Sequence, residues 1–311
     1  MPINRIEIRD FMVFKGRFTA DFCPGVNVLI GGNGTGKTTL LKLLCIEYKG
    51  CFAGKGVDEF AEEYFGTNVF YNPQDIKLIP DEETCNMEFN LHGDVFIPEK
   101  DILEHAKGLL TFIEKKQTGF GAVYRDLLIK AQDIPTKKQS EIQKNIGLKI
   151  SDIIDGEVQW DKGDGSFYTI KTNGDRIPFA NEASGFKKFG FLGLLVTCGQ
   201  LEKGSVLYWD EPENSLNPEL VPILVDILLE LAKNGVQVFM ATHDYNLARY
   251  FDVRKDKSIP VMYHNLTKQN GQIICNSSPE YIKLPGNLLE RASADLFKAV
   301  VSDALEVQDD E

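Results

Sequence analysis

Long hydrophobic runs are missing from this sequence. No segment approaches the roughly 20 consecutive apolar residues that a membrane-crossing helix needs. The opening MPINRIEIRD lacks the continuous apolar stretch of a secretory signal. The expectation is a cytoplasmic protein with no membrane partner. Basic charge is also short: 34 Lys and Arg stand against 46 Asp and Glu, a net charge of −12. That excludes a general nucleic-acid coat, which needs a basic surface, although net charge says nothing about a local patch. Cysteines are few and unpaired. Cys23, Cys45, Cys51, Cys85, Cys198 and Cys275 form no CxxC and lie near no histidine at zinc-ligand spacing. They read as buried small hydrophobes rather than metal ligands or disulfides. No internal repeat, low-complexity tract or sustained heptad pattern is present.

What is there is an ordinary globular composition, 43% hydrophobic and 26% charged over 311 residues, enough for one large domain or two modest ones with a real core. Residues 3–8 (INRIEI) and 26–30 (VNVLI) read as strands. The second is a compact apolar run of the kind that is buried on both faces of a sheet. GGNGTGKTT follows at 31–39, and LLKLLCIEY continues at helical spacing. VFIP at 95–98 reads as a short strand, and 101–116, 119–131 and 137–154 as helices. EVQW (157–160) and SFYTIK (166–171) read as strands, and TNGD at 172–175 turns SFYTIK back onto RIPF as a hairpin. SGFKKFGFLGLLVTCGQL, from Ser184, reads as a helix with Ser184 as its N-cap. VLYWD (206–210) and VQVFMATHD (236–244) read as strands, and 219–233 and about 287–306 as helices.

Four motifs carry chemistry. Gly31-x4-Gly36-Lys37-Thr38 fits the phosphate-loop pattern: glycines let backbone N–H groups wrap phosphate oxygens, and the following helix offers its positive end. Gly31, Asn33, Gly34, Thr35, Gly36, Lys37, Thr38 and Thr39 are the candidate nucleotide-binding residues. Lys37 would reach the β- and γ-phosphates of ATP, and the Thr38 hydroxyl would ligate Mg²⁺. In VLYWDEPE, carboxylates follow four apolar residues at the end of a strand, the end that faces the ligand crevice in an open α/β sheet. Asp210 is placed to hold Mg²⁺, directly or through water, and Glu211 to orient or deprotonate an attacking water. ATHD delivers His243 to the same edge, where it would sense the γ-phosphate. Ser184 and Gly185 in EASGFKK open a helix and so offer an anion site, which local sequence alone does not distinguish from simple capping.

Phosphate loop, SG signature, DEPE and TH, in this order, resemble the ABC-type ATPase superfamily. RIEIRDFMVFKGRFTADFCPGVNVLIGGNGTGKTTLL resembles its SMC, RecF and OLD branch rather than transporter ATPases. VFIPEKDIL, LYWDEPENSLNP and GVQVFMATHDYNLARYF resemble the compact bacterial AAA family ATPases of that branch. The resemblance implies an α/β P-loop NTPase: a mixed sheet flanked by helices, with a helical and hairpin insertion lobe carrying the signature. Its nucleotide-binding core would span 1–75 and 181–311, and the lobe 76–180. It implies a signature at Ser184 and Gly185, a D-loop at Asn214-Ser215-Leu216-Asn217, and His243 as the switch histidine. The Q-loop residue, a further metal contact, is Gln74 in YNPQDIK by its letters; alternatively VFIPEKDIL fills that position with no glutamine. The sequence departs from the superfamily in having ASGFKK for an LSGGQ-like signature, no zinc hook, and no nuclease segment after 252. The implied function is an ATP-hydrolysing switch that forms a homodimer around ATP, with a signature acting on the partner's nucleotide. It would serve DNA surveillance, repair or phage defence with a nuclease, toxin or other protein partner, with any DNA binding dependent on ATP. The alternatives are a transporter ATPase subunit and a slowly hydrolysing scaffold for a toxin or nuclease.

Overall fold

A computed structural model describes residues 2–53, 64–65, 76–80, 93–100, 106, 108–109, 122–133, 135–136 and 139–309. Among them the strands form three sheets. The first pairs β1 (Ile3–Phe11) antiparallel with both β2 (Phe14–Asp21) and β4 (Ile76–Pro80). The second, of six strands, contains β3 (Val26–Gly31), β5 (Asp94–Ile97), β9 (Val206–Asp210), β10 (Gln237–Ala241), β11 (Val261–Gln269) and β12 (Gln272–Ser278). Its order is β12-β11-β3-β10-β9-β5, parallel except for the β11–β12 hairpin. The third is the meander β6 (Gly156–Asp161), β7 (Ser166–Lys171) and β8 (Arg176–Pro178). Strands β4 and β5 come from the stretch 76–180 and lie in the first two sheets.

The largely apolar runs of β3, β9 and β10 have a simple cause: every residue of each is buried. Alternate side chains enter two separate cores, as the two-residue strand period requires. Val26, Val28, Ile30, Leu207, Trp209, Val238 and Met240 face the core shared with helices α4 (Ser184–Thr197), α5 (Val221–Lys233) and α6 (Tyr245–Arg254). Leu29, Val206, Tyr208, Phe239 and Ala241 face the core shared with α1 (Lys37–Ala53) and the β1–β2 hairpin. Tyr208 stacks on Phe239 at a centroid distance of 5.5 Å within this second core.

Helices α2 (Ala122–Ala131) and α3 (Glu141–Ile154) precede the meander, and α7 (Leu288–Asp309) closes the chain. A capping box at Ser140 and Gln143 starts α3. The buried Lys130 of α2 bonds the carbonyl of Asp94 and pairs with its carboxylate at 3.5 Å. This pins α2 to the edge strand β5. The meander is joined to the start of α4 by Lys171 and Glu182, 2.7 Å apart and nearly buried. Cys23, Cys45 and Cys198 are buried free thiols, and Cys275 is half-buried.

His264 sits in the fully buried face of β11, its ring nitrogens 2.8 Å from the Ser277 hydroxyl and 3.2 Å from Asn27 Oδ1. Burial pulls its pKa from 6.5 down to about 3. The folded state therefore holds it neutral while the unfolded chain takes up a proton below about pH 6.5, so stability falls as the pH drops through that value. At 1.36 kcal/mol per unit, roughly 2–3 kcal/mol is lost between pH 6.5 and 4.5. Denaturant unfolding across this range should show a shallower acid decline in His264→Gln than in wild type; parallel declines would rule the histidine out.

Candidate nucleotide site

The parallel register places four strand ends at one edge. Leu29 of β3 and Asp210 of β9 both align with Ala241 of β10, and Ile97 of β5 aligns with Trp209. Beyond those ends come the glycine loop, the acidic pair, His243 and Glu99.

The loop after β3 is shaped by its glycines. Gly34 and Gly36 take left-handed φ values of 73° and 88°. At Gly36 a Cβ would lie 2.8 Å from Val13 Cγ2 and 2.9 Å from Phe14 Cζ, so the β1–β2 hairpin closes one side of the loop. The Thr35 hydroxyl donates to the Gly32 carbonyl, which stiffens the turn. Asn33 and Gly34 are exposed at its tip, and Thr39 is half-buried in the first turn of α1. The buried Lys37 ammonium donates to the carbonyls of Gly31 and Gly32 at 3.0 and 3.1 Å. Burial lowers its pKa, against the opposing charges of Glu211, Asp210 and Glu213.

The Thr38 hydroxyl donates to Asp210 Oδ2 at 2.8 Å. A hydroxyl and a carboxylate oxygen held this close are hard donors of the type that magnesium prefers, so the residues present fit that ion. Burial raises the Asp210 pKa, and the Thr38 bond opposes it. Glu211 has a left-handed backbone, φ 49°, and its N–H is held by the Ala241 carbonyl at 2.9 Å. Its carboxylate lies 3.5 Å from His243 Nε2. Burial first, and the Lys37 charge second, hold the His243 pKa below its usual value, which favours the neutral imidazole.

Ser184 is not the N-cap of its helix. Ala183 occupies that place without a side-chain cap bond, and Ser184 is the first helical residue, exposed. Its hydroxyl is therefore not spent on local capping. Among the described residues no hydrogen bond or ion pair links Ser184 or Gly185 to the glycine loop. Gly185 instead packs on Leu216, where a Cβ would come within 3.3 Å. Gln74 lies outside the described residues; the strand beside β9 belongs to VFIP, and Glu99 follows it.

Three residues were not singled out in the sequence. Glu99 accepts from the Asn214 amide at 3.2 Å, and its charge acts on Asp210 and His243. Lys188, one turn into α4, donates to the carbonyls of Glu211 and Pro212 at 3.1 Å each. Glu213 accepts from the Thr242 hydroxyl at 2.5 Å and from the His243 N–H at 3.1 Å. A third acid within DEPE is the available signal for Glu213; the other two depend on tertiary placement.

A family model described as "AAA domain, putative AbiEii toxin, Type IV TA system" matches residues 110–249. The chain is 24% identical to the structural maintenance of chromosomes protein 3 homolog of Plasmodium falciparum over 33% of its length, 9% of that protein. It is 44% identical to the DNA replication and repair protein RecF of Heliobacterium modesticaldum over 15% of its length, 12% of RecF. It is 31% identical to the L-cystine import ATP-binding protein TcyN of Bacillus subtilis over 26% of its length, 35% of TcyN. The chain thus spans about a third or less of the curated relatives it matches. Its fold is that of an SMC head. An SMC head bound to the C-winged helix domain of ScpA superposes with a TM-score of 0.52 at 14% identity, over 89% of this chain and 98% of that one. An Smc head with an extended coiled coil, bound to a ScpA C-terminal domain derived from Pyrococcus furiosus, gives 0.51 at 11%, over 96% and 99%.

Replacing Gly36 by Ala forces a side chain into an occupied space at a left-handed position. A loss of about 1–3 kcal/mol in stability is expected, with weaker ATP binding. Thermal melting and titration with a fluorescent ATP analogue check both; unchanged values would mean that the hairpin does not close the loop.

Proposed function

We propose that this chain, an ABC-type ATPase of the SMC and RecF-like branch, binds Mg·ATP and hydrolyses it as a switch whose ATP-loaded form is a homodimer. The single observation that carries the reading is the Thr38–Asp210 bond at 2.8 Å, which joins the glycine loop to the acidic strand end. Lys37 and the loop N–H groups bind the phosphates. Thr38 and Asp210 would hold a magnesium ion, which would supply charge neutralisation for the phosphates. Glu211 orients the attacking water and accepts its proton, and His243, 3.5 Å away, gives its N–H to the γ-phosphate.

Ser184 and Gly185 complete the site of the other protomer. The support is the exposed, uncapped start of α4, whose free N–H groups favour an anion. Contacts made only with the γ-phosphate present are lost on hydrolysis, so nucleotide state sets dimer geometry. The process we infer is DNA surveillance, repair or phage defence with a protein partner. It is supported by the chromosome-maintenance and RecF relatives and by a matched family described by a putative toxin. Among the described residues no helix is long and apolar enough to cross a membrane, and we place the protein in the cytoplasm.

Glu211→Gln should retain ATP binding, lose turnover by about 10²–10⁴-fold and accumulate a dimer with ATP on size exclusion. Steady-state phosphate release within a few-fold of wild type would overturn the assignment.

Mixing two dead proteins tests the sharing of sites. Ser184→Arg should block ATP-driven dimerisation while sparing ATP binding by the monomer, and Lys37→Ala should weaken binding itself. A mixed dimer concentrates both defects in one composite site and restores the other, so partial activity should return. If Ser184→Arg alone hydrolyses ATP at the wild-type rate, the signature belongs to no composite site.

A further inference from the structure

We propose that Glu213 is a positioning residue that sets His243 against Glu211, through one carboxylate oxygen shared by two consecutive residues at the end of β10. Glu213 lies two residues past Glu211, in the turn that leaves β9. Its Oε1 accepts from the Thr242 hydroxyl at 2.5 Å and from the His243 backbone N–H at 3.1 Å. The Thr242 hydroxyl donates to Glu213 and at the same time accepts from the Asp244 N–H at 2.9 Å. Asp244 in turn caps α6 through the Leu247 N–H at 2.6 Å. The whole passage from strand to helix is thereby indexed to one carboxylate oxygen.

That oxygen belongs to the same short turn that carries Glu211. The Glu211 backbone is left-handed and tied to Ala241, and the His243 ring faces its carboxylate at 3.5 Å. Glu213 thus closes a loop of contacts, from Glu211 to Ala241, along the chain to His243, and back to the turn. If the Glu213 bonds are lost, nothing else among the described contacts holds the His243 N–H.

The arrangement is not one that folding alone selects. The second oxygen, Oε2, is buried without a hydrogen-bond partner among the described residues. Burial also holds the Glu213 carboxyl above the usual carboxylate range. An idle buried oxygen costs about 1–3 kcal/mol, and a glutamine or a smaller residue would avoid a buried charge. Such local costs are kept where a site needs them.

The kinetic part rests on the ATPase reading; the structural part does not. The test uses full-length, nucleotide-free protein and follows the His243 amide by NMR, alongside steady-state kinetics. Glu213→Ala should move the His243 amide resonance upfield, speed its hydrogen exchange at least tenfold and lower kcat about tenfold, with KM for ATP within threefold of wild type. Glu213→Gln, which keeps an acceptor oxygen, should restore most of both. If Glu213→Ala does not fold, Thr242→Val removes the hydroxyl at nearly constant shape and should shift the same amide. An unmoved amide with unchanged kcat, or a raised KM at constant kcat, would overturn the proposal. If no protein hydrolyses ATP, the ATPase reading fails while the amide alone still decides whether Glu213 positions His243.

Discussion

The parallel alignment of β3, β10 and β9 is the constraint on which the site depends. Thr242 N–H reaches the Leu29 carbonyl and Glu211 N–H the Ala241 carbonyl, so the ladder continues past the strand ends into the residues that bear the chemistry. A slip of one residue in β9 would exchange Trp209 and Tyr208 between the two cores and would turn Asp210 away from Thr38. The apolar packing therefore sets the geometry of the polar edge. Both cores enforce the same register, and the site inherits their rigidity.

Around that edge, elements distant in sequence are tied by single polar side chains. Lys188 links α4 to the Glu211–Pro212 carbonyls, Glu99 links the end of β5 to Asn214, and Lys171 links the meander to the start of α4 through Glu182. Hydrogen bonds thus join α4, one turn from its start, to the carbonyls of the acidic turn. A displacement of α4 acts on the backbone of Glu211 directly, without passing through the apolar core.

Much of this was readable in the sequence, for physical reasons. Strands buried on both faces are largely apolar, so VNVLI, VLYWD and VQVFMA stand out, and each is followed at once by its chemistry. The glycine loop is legible because only glycine tolerates its φ values and its contact with the β1–β2 hairpin. Ser184 was misread as a cap because capping depends on where the chain bends, and it bends at Ala183. The roles of Glu99, Lys188 and Glu213 were hidden because each is defined by a partner far away in the chain or by a turn conformation. β4 was hidden too, since its partner β1 is more than sixty residues distant and IKLIP is short.

The left-handed backbone at Glu211 sets two demands against each other. A residue with a β-carbon at φ 49° carries a strain of roughly 1–2 kcal/mol, which glycine would relieve and asparagine would reduce. Under the proposed chemistry neither replacement supplies the base. The position is therefore one where drift toward a more stable protein leads away from an active one. Homologues that have abandoned turnover and kept only nucleotide-dependent assembly should be recognisable by glycine or asparagine at this one place, with the aspartate before it intact.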